Sequence, residues 1–350
     1  MRIDTGIPMD DWRAVGPAAR AAEQAGFDGV VSYEIQNDPF AALAFAAVAT
    51  ERVQLGTGIA VAFPRSPMVV AQMAWDLHRQ SGGRFHLGLG AQVKGHNERR
   101  FSVPWGPPVP RLREYVESLR AIWRCWETGE PLRYEGQHYR FTLMTPEFAP
   151  PRTGLPPIPV SIAAVGPGML KLAGRVCDGV RLHGFATRKY LEEVAMPRVE
   201  AGLRQAGRPR EHFDVWGGGF IATGPDEDAV RRQLEGIRYR IAFYGSTRSY
   251  HHVFRVHGWE ELGEKLHGMS KRGEWSKMAA EVPDEVVREF TAVATYDELP
   301  EAIRQRFGGI TDTLTLVFAP DTPEGRVREI LAELRRIPSP FAGFPAAATP

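Results

Sequence analysis

From Val53 to Gly90 the chain reads VQLGTGIAVAFPRSPMVVAQMAWDLHRQSGGRFHLGLG: a buried strand, a helix and a second buried strand. Val53–Ala60 is a short apolar run broken by Gly56 and Gly58. Pro67 opens the helix, where a φ already fixed at about −65° costs no hydrogen bond. Ser81-Gly82-Gly83 stops it, and Arg84–Gly90 is the next strand. Parallel strands joined by a crossover helix form a βαβ unit, which gathers ligands at the carboxyl ends of its strands. Glycine at those ends lets backbone approach a flat or phosphorylated ligand closely. Function is therefore expected where each strand ends.

The same alternation runs along the whole chain. Strands are expected at Arg2–Ile7, Gly29–Tyr33, Val53–Ala60, Phe85–Gly90, Pro159–Ala164, Gly179–His183, Phe213–Ala222 and Thr313–Phe318. Helices are expected at Asp11–Ala25, Pro39–Ala49, Pro167–Val176, Thr187–Gly207, Asp226–Tyr244, Asp297–Phe307 and Thr322–Arg336. A further helix near Arg111–Thr128 places Leu112, Val116, Leu119, Ile122 and Trp123 on one face. Tyr134–Leu143 alternates as an excursion outside the main sheet, and Gly245 to about Pro283 reads as irregular and aromatic-rich.

Eight buried strands, each followed by a helix, argue for an α/β fold, a (β/α)8 TIM barrel with insertions. One barrel domain over 1–337 is expected, with insertions at about 91–110, 129–158 and 245–290, and a flexible tail over 338–350. The rival is an open doubly wound sheet. Gly88 and Gly90 begin a GxG, but Val93 stands at the third glycine position, no helix is expected to open at Gly95, and a dinucleotide site is disfavoured.

Bulk properties narrow the function classes. The 43 basic and 42 acidic side chains give a net charge of +1 without a basic block, so nucleic-acid binding is not expected. Cys125 and Cys177 are the two cysteines, with no metal or redox spacing, which suits small buried residues in a reducing cytoplasm. No apolar run reaches the roughly 18–20 residues of a membrane span. The N-terminus MRIDTGIPMDDW lacks the apolar core of a signal peptide. No H-E-x-x-H, no Cys/His cluster and no G-x-S-x-G occurs, so neither metal catalysis nor a serine nucleophile is expected.

LGTGIAVAFPRSP followed by SGGRFHLGLG, with IAAVGPGMLKLAGRVCDGV, MPRVEAGLRQAG and IAFYGSTRSYHHVFRVHGW, resembles the bacterial luciferase-like monooxygenase superfamily. The closer resemblance is to the branch that uses the deazaflavin coenzyme F420 in place of a flavin. It spans about Met1 to Arg336 and likewise implies a barrel, and because relatives are often dimers it implies a homodimer, for which the apolar helix Pro39–Ala49 offers one face.

The site residues follow strand by strand. Tyr33 and Glu34 end the second strand, and a carboxylate at a barrel mouth can orient a substrate or move a proton. Its structural alternative is pairing with an arginine or with the backbone at Asp38-Pro39. Relatives often place an acidic residue followed by a histidine here, and this chain departs from that. At Gly58-Ile59 the resemblance implies a bulge with a non-prolyl cis peptide pressed against the back of the cofactor ring. The fourth strand ends at Gly90 and leads through Gln92; relatives carry a glutamate near Val93, which leaves His96 as the local substitute.

Ala164, Val165, Gly166, Gly168 and Met169 run from the fifth strand into a helix, whose free N–H groups and dipole suit an anion. The resemblance places the cofactor's ribityl chain and phosphate there. His183 ends the sixth strand and is expected at the mouth, while Arg188 and Lys189 face either a phosphate or solvent. Tyr250, Trp259 and Trp275 are expected to wall an apolar substrate pocket.

The expected activity is hydride transfer between F420 and a small organic molecule, with Glu34, His96 or His183 handling the proton. The alternatives are an FMN-dependent monooxygenase and a non-catalytic deazaflavin- or flavin-binding protein.

Overall fold

Strands β1 (Arg2–Gly6), β2 (Gly29–Ser32), β3 (Gln54–Thr57), β4 (Phe85–Gly90), β5 (Val160–Ala164), β6 (Gly179–Leu182), β7 (Asp214–Gly217) and β8 (Thr313–Thr315) form one parallel sheet in the computed structural model, which describes residues 1–345. They pair in sequence order, and Arg2 of β1 opposite Thr313 of β8 closes the ring. The result is the (β/α)8 barrel that the alternation implies. β3 is interrupted at Gly58-Ile59, where the peptide is cis, and resumes as Ala60–Val61 beside Leu89 and Gly90 of β4.

The helices start where local chemistry starts them. Asp11 caps α1 (Trp12–Ala25) by accepting from the Arg13 N–H. α2 (Ala41–Ala49) follows, and Ser66 caps α3 (Pro67–Gln80), whose first residue is the anticipated proline. In α4 (Pro108–Thr128) all five residues of the expected apolar face are buried. On the outer layer, Trp12 of α1 and Phe45 of α2 pack 5.6 Å apart and stay partly exposed beside Val48.

The two faces of the barrel sheet differ sharply. Outward positions carry Val30, Leu55, Leu87, Ile162, Val180, Val215 and Leu314, each no more than 2% exposed, against the helices. Burying a side chain of this size contributes about 1.5–3 kcal/mol. Inward positions are mostly small or polar, among them Asp4, Gly56, Gly88, Ser161, Arg181, Asp214 and Thr313, with Val31 and Trp216 as the larger apolar members. The core of the molecule is therefore the layer between sheet and helices, while the lumen buries charged and polar side chains against Trp216.

Several expectations are corrected. The strand read over Phe213–Ala222 is two strands, because the chain turns at Gly217 and Gly218 with φ of 79° and 103°. That left-handed region favours glycine. Phe220–Gly224 then pairs in parallel with Thr291–Thr295 outside the barrel. Lys94–Arg99, read as non-helical, is a short helix stapled by Asn97, whose side-chain amide donates to the carbonyls of Ala91 (2.9 Å) and Val93 (3.1 Å).

Gly245–Pro283 is not irregular. It contains helices His251–Arg255 and Glu260–Lys271, and Phe254 of the first packs with Trp259 at the start of the second and with Phe290 of the following helix Asp284–Phe290. The tail expected to be loose is docked over its described part. Ser339 and the Phe341 N–H donate to Asp312, His212 bonds the Gly343 carbonyl, and Phe344 packs 5.2 Å from His86 at the amino end of the barrel. Residues 346–350 lie outside the described residues.

Candidate active site

The carboxyl ends of β1, β3 and β4 present Gly6, Gly58 and Gly90 at the barrel mouth. A Cβ on Gly58 would lie 2.6 Å from Val31 Cγ1, and one on Gly90 2.6 Å from Ile59 Cδ1. Tyr33 closes the floor, with ring carbons 3.4 Å from where Cβ atoms of Gly6 and Gly58 would stand. Burial pushes its phenol pKa up, against a hydrogen bond with Thr315 and the charge of Arg181. Backbone, Ile59 and one tyrosine thus make a platform on which a planar ring can lie.

On the next strand the lumen-facing residue is Ala163, 3.6 Å from the Gly90 Cβ position, and Ala164 points into the helix layer, buried. The period of two decides this, with Ser161 and Ala163 inward. Ala164 therefore meets a ligand only through its backbone. Gly166 precedes α5 (Pro167–Val176), and no side chain caps that helix start. Gly168 is exposed and Met169 half-buried in its first turn. The Tyr190 hydroxyl donates to the Val165 carbonyl and pins the turn, and burial pushes its pKa up to about 12. This uncapped helix start can hold a phosphate.

His183 sits at the mouth as expected. Its Nδ1 accepts from the Phe185 N–H at 2.9 Å, which leaves the proton on Nε2. Burial alone pushes its pKa down to about 4, so the ring is neutral near pH 7. Tyr244 stands edge-on at 4.3 Å and Tyr250 lies at 5.2 Å. Of the three aromatics expected to wall a pocket, Tyr250 reaches this site. Trp259 stacks on His257 at 4.1 Å in the inserted helices, and Trp275 packs on Phe243 at the surface.

The other titratable candidates are placed elsewhere. Glu34 has both oxygens engaged by Arg65 (3.0 and 2.8 Å) and one also by the Val61 N–H (2.7 Å), while Arg65 reaches on to Asp38 at 2.9 Å. This is the arginine pairing weighed against a proton role, and it ties β2 to the segment after the cis peptide. Glu34→Ala is expected to cost about 1.5 kcal/mol in urea unfolding, because the orphaned groups are partly buried but Asp38 still holds Arg65. Lost turnover at unchanged stability would instead give the carboxylate a role on the substrate.

His96 lies exposed on the short helix and is not brought to His183. Gln92, with φ of 54°, turns its side-chain oxygen back onto the Val93 N–H. Arg188 pairs with Glu192 at 2.8 Å and donates to the carbonyls of Gln305 and Gly308, so the α5 turn does not receive it. The sequence reading missed Arg181: alternation along its strand marks it as inward, but only the closed barrel brings it across to Gly56, Gly58 and Gly88. It also missed Tyr244, which only the packing of the inserted helices brings to the mouth.

Beside Tyr33 a cleft of about 560 Å³ opens between the ends of β8 and the outer strand pair, lined by Phe220, Ile237, Arg240, Tyr296 and Val317. That volume suits a small organic molecule. Among the described residues no group of three or more His, Cys, Asp or Glu side chains is arranged to hold a metal. Nor is any helix long and apolar enough to cross a membrane.

Comparison with known proteins agrees with this architecture. An uncharacterised protein of Mycobacterium tuberculosis is 42% identical over 336 residues, covering 96% of this chain and 98% of the relative. The 5,10-methylenetetrahydromethanopterin reductase of Archaeoglobus fulgidus is 30% identical over 295 residues, covering 82% and 83%. The structure of the coenzyme F420-dependent tetrahydromethanopterin reductase of Methanopyrus kandleri superposes with a TM-score of 0.75 at 23% identity, over 96% and 99% of the two chains. Structures containing FMN share the fold as well. The sequence profile described as luciferase-like monooxygenase matches residues 2–313, and the chain is an enzyme of that family.

Proposed function

We propose that the protein is an oxidoreductase that holds F420 across the barrel mouth and uses it to transfer a hydride to or from a small organic substrate. The observation that carries this reading is the platform at Gly6, Gly58 and Gly90, where a Cβ on Gly58 or Gly90 would collide with Val31 or Ile59 and one on Gly6 would press on Tyr33. It sits in a chain 30% identical to a methylenetetrahydromethanopterin reductase. When bound, a deazaflavin supplies the hydride from a ring carbon where a flavin has nitrogen.

The chain's own residues supply position and hydrogen bonds. Ile59 and Tyr33 would support the ring from below, and the backbone N–H groups of Gly166 and Gly168 would hold the phosphate at the start of α5, the Met169 N–H being already engaged by the Gly166 carbonyl. His183 offers Nε2–H to an oxygen on the substrate, and its low pKa keeps that donor neutral. Tyr250 excludes water on the same side. The substrate enters from the cleft beside Tyr33.

An FMN enzyme is the second reading, because the same helix start accommodates either cofactor's phosphate and FMN-bound relatives share the fold. Fluorescence titration of the protein with oxidised F420 and, separately, with FMN decides between them. F420 is expected to bind at least about tenfold tighter. Tighter FMN binding overturns the proposal.

A further inference from the structure

We infer that Arg181 is a positioning residue for charge, a cation fixed under the Gly58-Ile59 peptide that favours the reduced form of a redox ring lying above it. The inference rests on the reading that such a ring occupies the mouth. It goes further by assigning control of the ring's potential to a residue inside the barrel that touches neither ring nor substrate.

Arg181 leaves β6 and crosses the lumen toward β3 and β4. Its Nη2 lies 3.1 Å from the Cβ position of Gly56, its Nη1 3.5 Å from that of Gly58, and its Nε 2.3 Å from that of Gly88. Three glycines on two neighbouring strands thus leave the volume that one arginine fills. The guanidinium stacks on Trp216, 3.4 Å from the ring centroid, and Nε donates to Ser161 Oγ at 2.9 Å.

The compensation of this charge is incomplete. Arg181 is 7% exposed, yet among the described residues it forms no salt bridge, and its Nη2 has no hydrogen-bond partner. Buried arginines are ordinarily paired. The charged and titratable groups around it are Arg2 and Asp4 of β1, Tyr33 after β2, His86 of β4 and Asp214 of β7. Burial raises the pKa of both Asp4 and Asp214, which weakens their power to neutralise it. Burial also lowers the pKa of Arg181 itself to about 10, which leaves it charged near pH 7.

Charge counting gives the consequence. A hydride carries two electrons and one proton, so when the donor's C–H bond breaks and a C–H bond forms on the ring, the ring gains one negative charge. The donor is oxidised and the ring reduced. A fixed cation below the floor stabilises that product more than the oxidised ring, which carries one negative charge fewer, the more so where water is excluded.

The test compares wild type with Arg181→Met and Arg181→Lys, each checked for folding by circular dichroism. Dissociation constants for oxidised and reduced F420 are measured, with the midpoint potential of the bound cofactor. Arg181→Met is expected to shift the reduced-to-oxidised affinity ratio about tenfold against the reduced form, equivalent to about 30 mV lower for a two-electron couple. Arg181→Lys keeps the charge and is expected to stay within about threefold of wild type.

An unchanged ratio in folded Arg181→Met overturns the inference. Should that variant not fold, wild type alone decides. The proton of bound reduced F420 is expected to be at least about one pH unit more acidic than in the free cofactor, and an equal or weaker acidity overturns the inference. Failure of wild type to bind F420 defeats the cofactor reading instead. The ratio is then measured with FMN, whose ring gains the same charge, and an unchanged ratio there overturns the role of Arg181.

Discussion

Gly88→Ala is expected to destabilise the barrel by about 3 kcal/mol or more, read as a large fall in the urea midpoint. The added methyl would stand 2.0 Å from the Thr57 carbonyl oxygen, as well as 2.3 Å from Arg181 Nε. The side chain of Arg181 has some freedom to move, but the Thr57 backbone does not. Its hydroxyl donates to the Gly88 carbonyl (2.7 Å) and accepts from the Gly88 N–H (2.9 Å), clasping β3 to β4. A control of opposite sign is Gly236→Ala, in an exposed helix interior where a Cβ meets nothing within 4 Å. That substitution is expected to stabilise by about 0.5–1 kcal/mol. If both glycines behave alike, the tight β3–β4 clasp is not what the fold depends on.

Asp4 produces the second large effect, through pH. Burial pushes its pKa from 3.8 up to about 7, with Arg2 pulling back and Asp214 adding to the rise. Between those two values the unfolded chain has lost the proton while the folded chain keeps it. The unfolded state then binds fewer protons, so stability falls as pH rises through this window and levels off above about 7. At roughly 1.4 kcal/mol per pH unit, and discounted for the coupled Asp214, the loss is on the order of 2–3 kcal/mol. Asp4→Asn removes the titration and is expected to exceed wild type by about that amount at pH 8, with the difference vanishing near pH 4. Urea unfolding of both proteins at the two pH values measures it. Lower stability of Asp4→Asn at pH 8 would show that Arg2 and Arg181 hold the carboxylate ionised.

Both predictions concern the lumen, the part of the molecule that hydropathy describes least well. Leu55, Leu87, Val180 and their outward neighbours advertise buried strands, and so does the one-sided face of α4. Asp4, Arg181 and Asp214 alternate with them, but their residue types alone do not say whether an inward position faces ligand, water or another charge. Glu34 shows the same ambiguity. As a sequence feature it is a carboxylate at a strand end, and only the fold brings Arg65 and the Val61 N–H onto it.

The succession of strands, the barrel, the strand-end glycines Gly58 and Gly90 and the helix start after β5 follow from the sequence by itself. Each depends on local patterns: apolar alternation, proline and glycine at element ends, and the spacing between them. The tertiary structure alone decided what approaches those local features from far along the chain. Arg65 reaches Glu34, the inserted helices bring Tyr244 and Tyr250 to His183, Arg188 turns to the carbonyls of Gln305 and Gly308, and the tail seats Phe344 against His86. The reason is physical. Element type is set by interactions within a few residues, whereas the state of a charged side chain depends on burial and on partners that folding alone assembles.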